Sequence, residues 1–380
     1  MHMPFDVTLP QDALEHLLRT VGHAVAARPN VPVLASTLLQ AQEDASTLTA
    51  VGYDLSLGAR ASTGAAVAAG GVVAVPFRLL AGLVGRLPAA EPVRLHLTDD
   101  SVLAVESGEG RYSITLAADA SDYPALPQVA AEPVAVPWAP LRQALATVAH
   151  AASAAEAKPE LMGVHLALEA GELRVEAIDG AGHRAVFVRL PELVASGGDA
   201  AFTVPSAAVR ELLRLDVGDD ELVQIGQDGG VAVFTAPGGA TLVSNLLDGG
   251  AWPPMYAKLP PKYKVSLVVN RDDLMAAVGR AQVIADAAEC VIALHHTAEA
   301  ITVATENDLG SVADPVPLEE GSTAATATLL FRSKYLVDAL KYTEGTLVTI
   351  NYVKAGTLAI IEPHGSALRR YLVMGLAPKP

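Results

Sequence analysis

The chain has 380 residues, 51% of them hydrophobic but only 4% aromatic, one cysteine, and a formal net charge of −16. Such a length fits about three domains, and a core poor in rings must be built from Val, Leu, Ile and Ala. The lone Cys290 excludes an intramolecular disulfide, no apolar run reaches the length of a membrane span, and charge at the sixth residue is unlike a signal peptide. The negative balance argues against a nucleic-acid partner unless the charges are segregated.

In chain order, a helix is expected over Leu9–Pro29, with Asp12 and Glu15 suited to its first turn. A strand–turn–strand follows over Thr37–Asp54, then a short second helix at Val75–Leu87 with Pro76 in its first turn, where the missing N–H has no helical partner. More β structure follows, turning at Asp99-Asp100. The series then recurs: a helix from Val136, a hairpin over Val164–Asp179, a helix at Val204–Leu215 entered through Pro205, and β structure turning at Asp228-Gly229-Gly230. It recurs again with a helix from Val269, a hairpin over Ile292–Asp308, a helix at Leu330–Tyr342, and a turn at Ala355-Gly356. The period is roughly 128 residues, a domain length rather than a solenoid repeat.

Proline-rich linkers at Tyr123–Pro133 and Trp252–Pro261 place the boundaries at 1–128, 129–259 and 260–380. Each unit is expected to hold two helices and about eight short antiparallel strands, an α+β fold with the helices in one layer and the sheets in the other. Three like units joined head to tail curve one way, and closure needs a symmetric partner.

Charge divides between those layers. The expected helical spans (10–28, 76–87, 137–158, 205–215, 270–285 and 331–342) hold 13 basic and 7 acidic residues, a net of +6. The rest of the chain carries −22. Such a protein holds a polyanion on its helices and repels it elsewhere, although helices also carry Arg on ordinary solvated faces.

Catalytic constellations are missing from the sequence. The adjacent His295 and His296 point to opposite faces of a strand and so cannot share an ion with Cys290. Asp99-Asp100 and Asp219-Asp220 read as turns, and Gly70-Gly71 precedes a strand rather than a helix. Asp179 with His183 forms half a triad without a nucleophile elbow, so an acid–base enzyme using Asp179, His183 and Arg184 stays open only as an alternative. A protein-binding scaffold that ignores DNA is another.

Several stretches resemble one family. Arg28-Pro29-Asn30-Val31-Pro32-Val33-Leu34, Asp179-Gly180 with Gly182-His183-Arg184, Leu247-Asp248-Gly249 with Pro254-Met255-Tyr256, and Tyr371–Leu376 are similar to motifs of the bacterial sliding clamp, the β subunit of DNA polymerase III, in the same order. The resemblance implies a head-to-tail homodimer: a ring of six domains whose twelve helices surround duplex DNA. The implied activity is that of a non-enzymatic processivity factor without cofactor or metal, cytoplasmic and nucleoid-associated, with no membrane partner. Duplex contact then falls to Arg28, Arg78, Arg142, Lys158, Arg210, Arg214, Arg332 and Lys334, which touch phosphates rather than bases.

The resemblance also implies a pocket for linear peptides of polymerases, the clamp loader and repair proteins. Its wall would comprise Leu161, Gly182, His183, Arg184, Pro254 and Leu259 with Leu372, Val373, Met374 and Leu376. Aliphatic residues and a flexible Met suit adaptable anchoring. Read alone, Leu372–Leu376 is an ordinary buried edge strand. Ala181-Gly182 read as an insertion at the pocket's lip, Ala185 stands where relatives have a larger aliphatic, and Ala377–Pro380 extends past the usual end. Self-association would set Arg111 and Tyr112 of one copy against Val283 and Ile284 of the other.

Overall fold

The computed structural model describes residues 5–116, 118–155, 157–180, 183–191, 199–248, 250–285 and 290–377. The element order runs three times through one series. First come β1 (Asp6–Pro10), α1 (Gln11–Gly22), β2 (Ser36–Gln42), β3 (Thr47–Tyr53), β4 (Leu57–Gly64), β5 (Ala66–Ala69), β6 (Gly71–Pro76), α2 (Phe77–Val84), β7 (Pro92–Asp99), β8 (Val102–Ser107) and β9 (Gly110–Thr115). Next come β10 (Val134–Pro137), α3 (Trp138–Val148), β11 (Gly163–Glu169), β12 (Glu172–Ile178), β13 (Arg184–Leu190), β14 (Ala200–Pro205), α4 (Ser206–Leu212), β15 (Leu222–Asp228), β16 (Val231–Thr235) and β17 (Thr241–Asn245). Last are β18 (Val265–Asn270), α5 (Arg271–Ile284), β19 (Val291–His296), β20 (Ala300–Asn307), β21 (Gly310–Pro317), β22 (Ala327–Arg332), α6 (Ser333–Tyr342), β23 (Leu347–Tyr352), β24 (Leu358–Pro363) and β25 (Arg369–Met374).

Each of α1 to α6 starts where a strand ends. Pro10, Pro76, Pro137 and Pro205 close four of those strands, because proline cannot donate to a ladder and its fixed φ leads into a helix. Pro76 and Pro205 thus sit one residue before the helix rather than in its first turn. Asn270 caps α5 instead, accepting from Asp272 and Asp273 N–H at 3.0 and 3.2 Å. Helical spacing selects the buried faces: Leu14, Leu17, Leu18 and Val21 on α1, and Leu274, Ala277, Val278 and Ala281 on α5.

The chain folds as two compact units, built mainly from Met1–Ala139 with Ala207–Leu246, and from Pro140–Leu193 with Leu247–Pro380. The first unit contains a five-stranded sheet, β5-β1-β7-β8-β9, and an eight-stranded sheet, β10-β15-β16-β17-β4-β3-β2-β6. The second contains an eight-stranded sheet, β14-β11-β12-β13-β25-β24-β23-β18, and a four-stranded one, β21-β20-β19-β22. Both large sheets are spliced from two repeats by antiparallel pairing, with Val243 opposite Gly58 in the first and Leu372 opposite Ala185 in the second. No described helix is long and apolar enough to cross a membrane.

Candidate functional site

In the second unit, β25 lies between β13 and β24, near the middle of its sheet. The expectation of an edge strand fails here: the repeat boundary adds four strands beyond it. Leu372 packs in an apolar cluster with Leu161, Ile178, Ala185, Phe187 and Ile360, and Leu259, Met255 and Tyr256 of the linker rest on that cluster. By strand alternation Met374 shares the face of Leu372, whereas Val373 shares the face of Tyr371, whose hydroxyl donates to Tyr342 O of α6 at 2.7 Å. Leu161, Leu259, Leu372 and Met374 therefore stand on one side of the sheet. Pro254 is exposed, and Leu376 is half-buried with its N–H on Leu330 O at 2.8 Å. Ala185 is buried in the cluster, while Gly182, Ala181, Gly249 and 378–380 lie outside the described residues.

The two polar residues of that wall differ. Asp179 Oδ1 accepts from the backbone N–H of His183 at 2.7 Å and of Arg184 at 3.3 Å. It closes the turn into β13 and does not hold the imidazole. The His183 ring stays half-buried, stacked on Tyr335 with centroids 6.0 Å apart. Arg184 is engaged internally: it donates to Asp338 at 2.5 Å and to the His150 carbonyl, and it lies over Tyr335 at 5.4 Å. The neighbouring His150 ring stacks on Tyr342 at 4.2 Å, and burial, aided by Arg184, pushes its pKa down to about 4.

The linker over this cluster is pinned by polar contacts. Trp252 Nε1 donates to Glu176 Oε2 at 2.7 Å, and its ring stacks on His165 at 4.5 Å. Arg174 pairs with Glu176 and lies over Tyr256 at 4.9 Å. Burial raises the Glu176 carboxyl above its ordinary value, opposed by Trp252 and Arg174, and burial with Arg174 nearby lowers His165 to about 4.

The cations are arranged differently from the expectation. Only Arg78, Arg142, Arg210 and Lys334 of the eight stand on α-helices, all exposed. α1 ends at Gly22 and α3 at Val148, which leaves Arg28 and Lys158 on the segments beyond them. Arg214 follows the end of α4 and Arg332 is the last residue of β22. The six helices as formed hold eight basic and six acidic residues, so most of the positive excess sits at helix ends. Arg78, Arg210, Arg332 and Lys334 form no ion pair with another described residue, whereas Arg214 pairs with Glu211 at 2.9 Å. In the third repeat, His295 is exposed on Thr328 at 2.7 Å and His296 is buried on Tyr352 at 2.5 Å, on opposite faces as expected.

β9 and β21 are edge strands of their sheets. On β9, Tyr112 is 42% exposed and Arg111 pairs with Glu106 at 2.9 Å. Near β21, Val283 is 82% and Leu309 88% exposed, and the carbonyl of Ile284 accepts from Asn307.

The family model described as DNA polymerase III beta subunit, N-terminal domain, matches residues 5–127. A beta sliding clamp of Synechococcus elongatus is 33% identical over 373 residues, covering 96% of this chain and 97% of the relative. The chain belongs to the beta sliding clamp family. The beta sliding clamp of Bacillus subtilis is 24% identical over 358 residues, covering 92% of this chain and 93% of its own. Crystal structures of sliding clamps from Bacillus subtilis, and from Pseudomonas aeruginosa bound to griselimycin, both match with a TM-score of 0.90 at 22% identity, over 99% of this chain and 100% of theirs. At that identity the likeness is one of fold.

In this sliding-clamp chain, sequence reasoning missed a polar cleft of about 420 Å³ in the first unit, lined by His16, Arg19 and His23 of α1 and the turn after it, with Glu211 of α4 and Arg214 and Asp216 beyond it. Arg19 donates to His16 Nδ1 at 3.0 Å and Arg214 to His23 Nδ1 at 3.3 Å. The signal was available in part: His16, Arg19 and His23 fall at helical spacing opposite Leu14, Leu17 and Val21. Glu176 and Trp252 carried no such signal, because an acid inside a strand reads as solvent-facing until the linker is laid over it.

Proposed function

We propose that two copies close into a ring that encircles duplex DNA without reading its sequence, as a processivity factor for a replicative polymerase. The repeats 1–128, 129–259 and 260–380 are its domains. The observation that carries this reading is the pairing rule of the sheets. β17 and β25 occupy equivalent places in their repeats, and so do β4 and β13; β17 pairs with β4, and β25 with β13. By the same rule β9 takes β21 of a second copy, and the exposed Tyr112 meets Val283, Ile284 and Leu309. Edge pairing of this kind removes two open ladders at once.

Inside the ring, Arg78, Arg142, Arg210 and Lys334, joined by Arg28, Lys158, Arg214 and Arg332 at element ends, contact phosphates that exchange easily as the duplex slides. Retention is topological, so each contact stays weak. Leu161, Leu259, Leu372 and Met374 form the floor for apolar anchors of linear peptides from polymerases, the clamp loader and repair proteins, with His183 at the rim. The chain acts as a cytoplasmic, nucleoid-associated accessory subunit and contributes no catalytic step.

Light scattering combined with small-angle X-ray scattering tests the ring. A dimer of the 39.2 kDa chain with a central hole is expected, and a compact monomer at micromolar concentration overturns the closed ring. Reversing charge at Arg78 and Arg210 together should shorten retention on circular DNA; unchanged retention removes the phosphate contacts from the mechanism.

A further inference from the structure

A cleft of about 870 Å³ lies in the first unit between the face of the large sheet and the linker that crosses it. Its floor is Leu38, Val51, Val233 and Val243, with Gln40 and Gln224 at the sides. The linker descends where the sheet has no side chain. Leu126 Cδ2 lies 2.4 Å from where a Cβ on Gly58 would stand, and Val129 Cγ1 lies 3.2 Å from one on Gly226. Between those two points the linker arches and the space opens. The volume is that of an ordinary ligand site.

Two observations indicate the occupant. Residues 124–133 of the roof run without regular structure, and their backbone N–H and C=O groups make no hydrogen bond to another described residue. Such an unpaired ledge, interrupted by Pro124, Pro127 and Pro133, leaves its other N–H and its C=O groups free to pair with a second extended chain. Arg60 of β4 is the lone ionised side chain among the lining residues, exposed and in no ion pair with another described residue. In a chain of net charge −16, a guanidinium set at the edge of apolar walls selects a carboxylate placed beside apolar groups.

We propose that this cleft binds an extended peptide segment bearing adjacent apolar side chains followed by Asp or Glu, the apolar groups on Val51, Val233 and Val243 and the carboxylate on Arg60. The site is separate from the pocket at Leu372 and stands whether or not that pocket binds peptides.

The test uses the full chain with labelled Leu, Val and Met methyls, observed by NMR. The probe is an equimolar pool of acetylated hexapeptides with Leu, Ile or Phe at two adjacent positions followed by Asp, with alanine elsewhere. A matched pool carries Asn in place of Asp. The Asp pool should shift the methyls of Leu126, Val233 and Val243, with the Asn pool, or the Arg60→Ala variant, binding about fivefold more weakly. Val233→Trp, which fills the floor, should abolish those shifts. No shifts at these methyls up to about 5 mM peptide, or equal binding of both pools to the native chain and to Arg60→Ala, overturns the proposal. Shifts confined to Leu372 and Met374, read in the same spectra, also overturn it while leaving the second-unit pocket supported.

Discussion

The two spliced sheets solve one problem by different chemistry. Each must carry a linker across its face, over equivalent positions: Gly58, Arg60 and Val51 in the first unit, Ala185, Phe187 and Glu176 in the second. In the first, the linker settles by van der Waals contact onto a missing side chain, and Tyr123 is buried with its hydroxyl donating to Val51 O at 3.3 Å. In the second, a buried acid, an indole, a guanidinium and an imidazole hold it. Apolar seating leaves room and tolerates repacking. A buried polar network is stiff but depends on every member being satisfied. The apolar cluster at Leu372 thus has a fixed cover, and the cleft at Val243 a softer one.

The largest expected effect breaks the network. Glu176→Ala strands the Trp252 N–H under the linker, leaves Arg174 only the distant Glu169 at 3.7 Å, and should cost about 3 kcal/mol in urea unfolding. The equivalent Val51→Ala should cost about 2 kcal/mol, being a cavity without an orphaned charge. Equal or reversed costs would remove the distinction between the two linkers.

Next in size is the response to acid. His150 and His165, both in the second unit, are held near pKa 4 against about 6.5 when unfolded. Between those values the unfolded chain binds more protons, so their contribution is full above about pH 6.5 and is lost as pH falls toward 4. Stability is expected to fall progressively over that window. His165→Phe should flatten the stability curve there, and an unchanged curve would show that His165 is not buried neutral.

The smallest effect sharpens the apolar side. Gly58→Ala puts a methyl 2.4 Å from Leu126 and should cost about 1 kcal/mol, largely relieved by adding Leu126→Ala. Failure of the second substitution to relieve the first would place the clash elsewhere, at Tyr53 Cδ2, 3.2 Å from that methyl.

The sequence by itself determined the threefold series of elements. Apolar spacing marks α1 through α6, prolines mark where four of the strands hand over to helices, and turns rich in Asp or Gly mark the hairpins, all within windows of about a dozen residues. The motifs around His183 and Leu372 pointed to the family, and whole-length identity to a clamp established it. The ends of helices were overrun, because Arg28 and Lys158 continue a helical composition after the apolar face has stopped. What only the tertiary structure decided lies between repeats: β25 as an interior strand, Arg184 tied to Asp338, Glu176 under Trp252, and a cleft roofed by 124–133. These depend on pairings between residues far apart in the chain, such as Val243 with Gly58 and Leu372 with Ala185. Local periodicity fixes which face of a strand is apolar but not which distant strand it joins, since that choice is made by whole sheets burying their faces together.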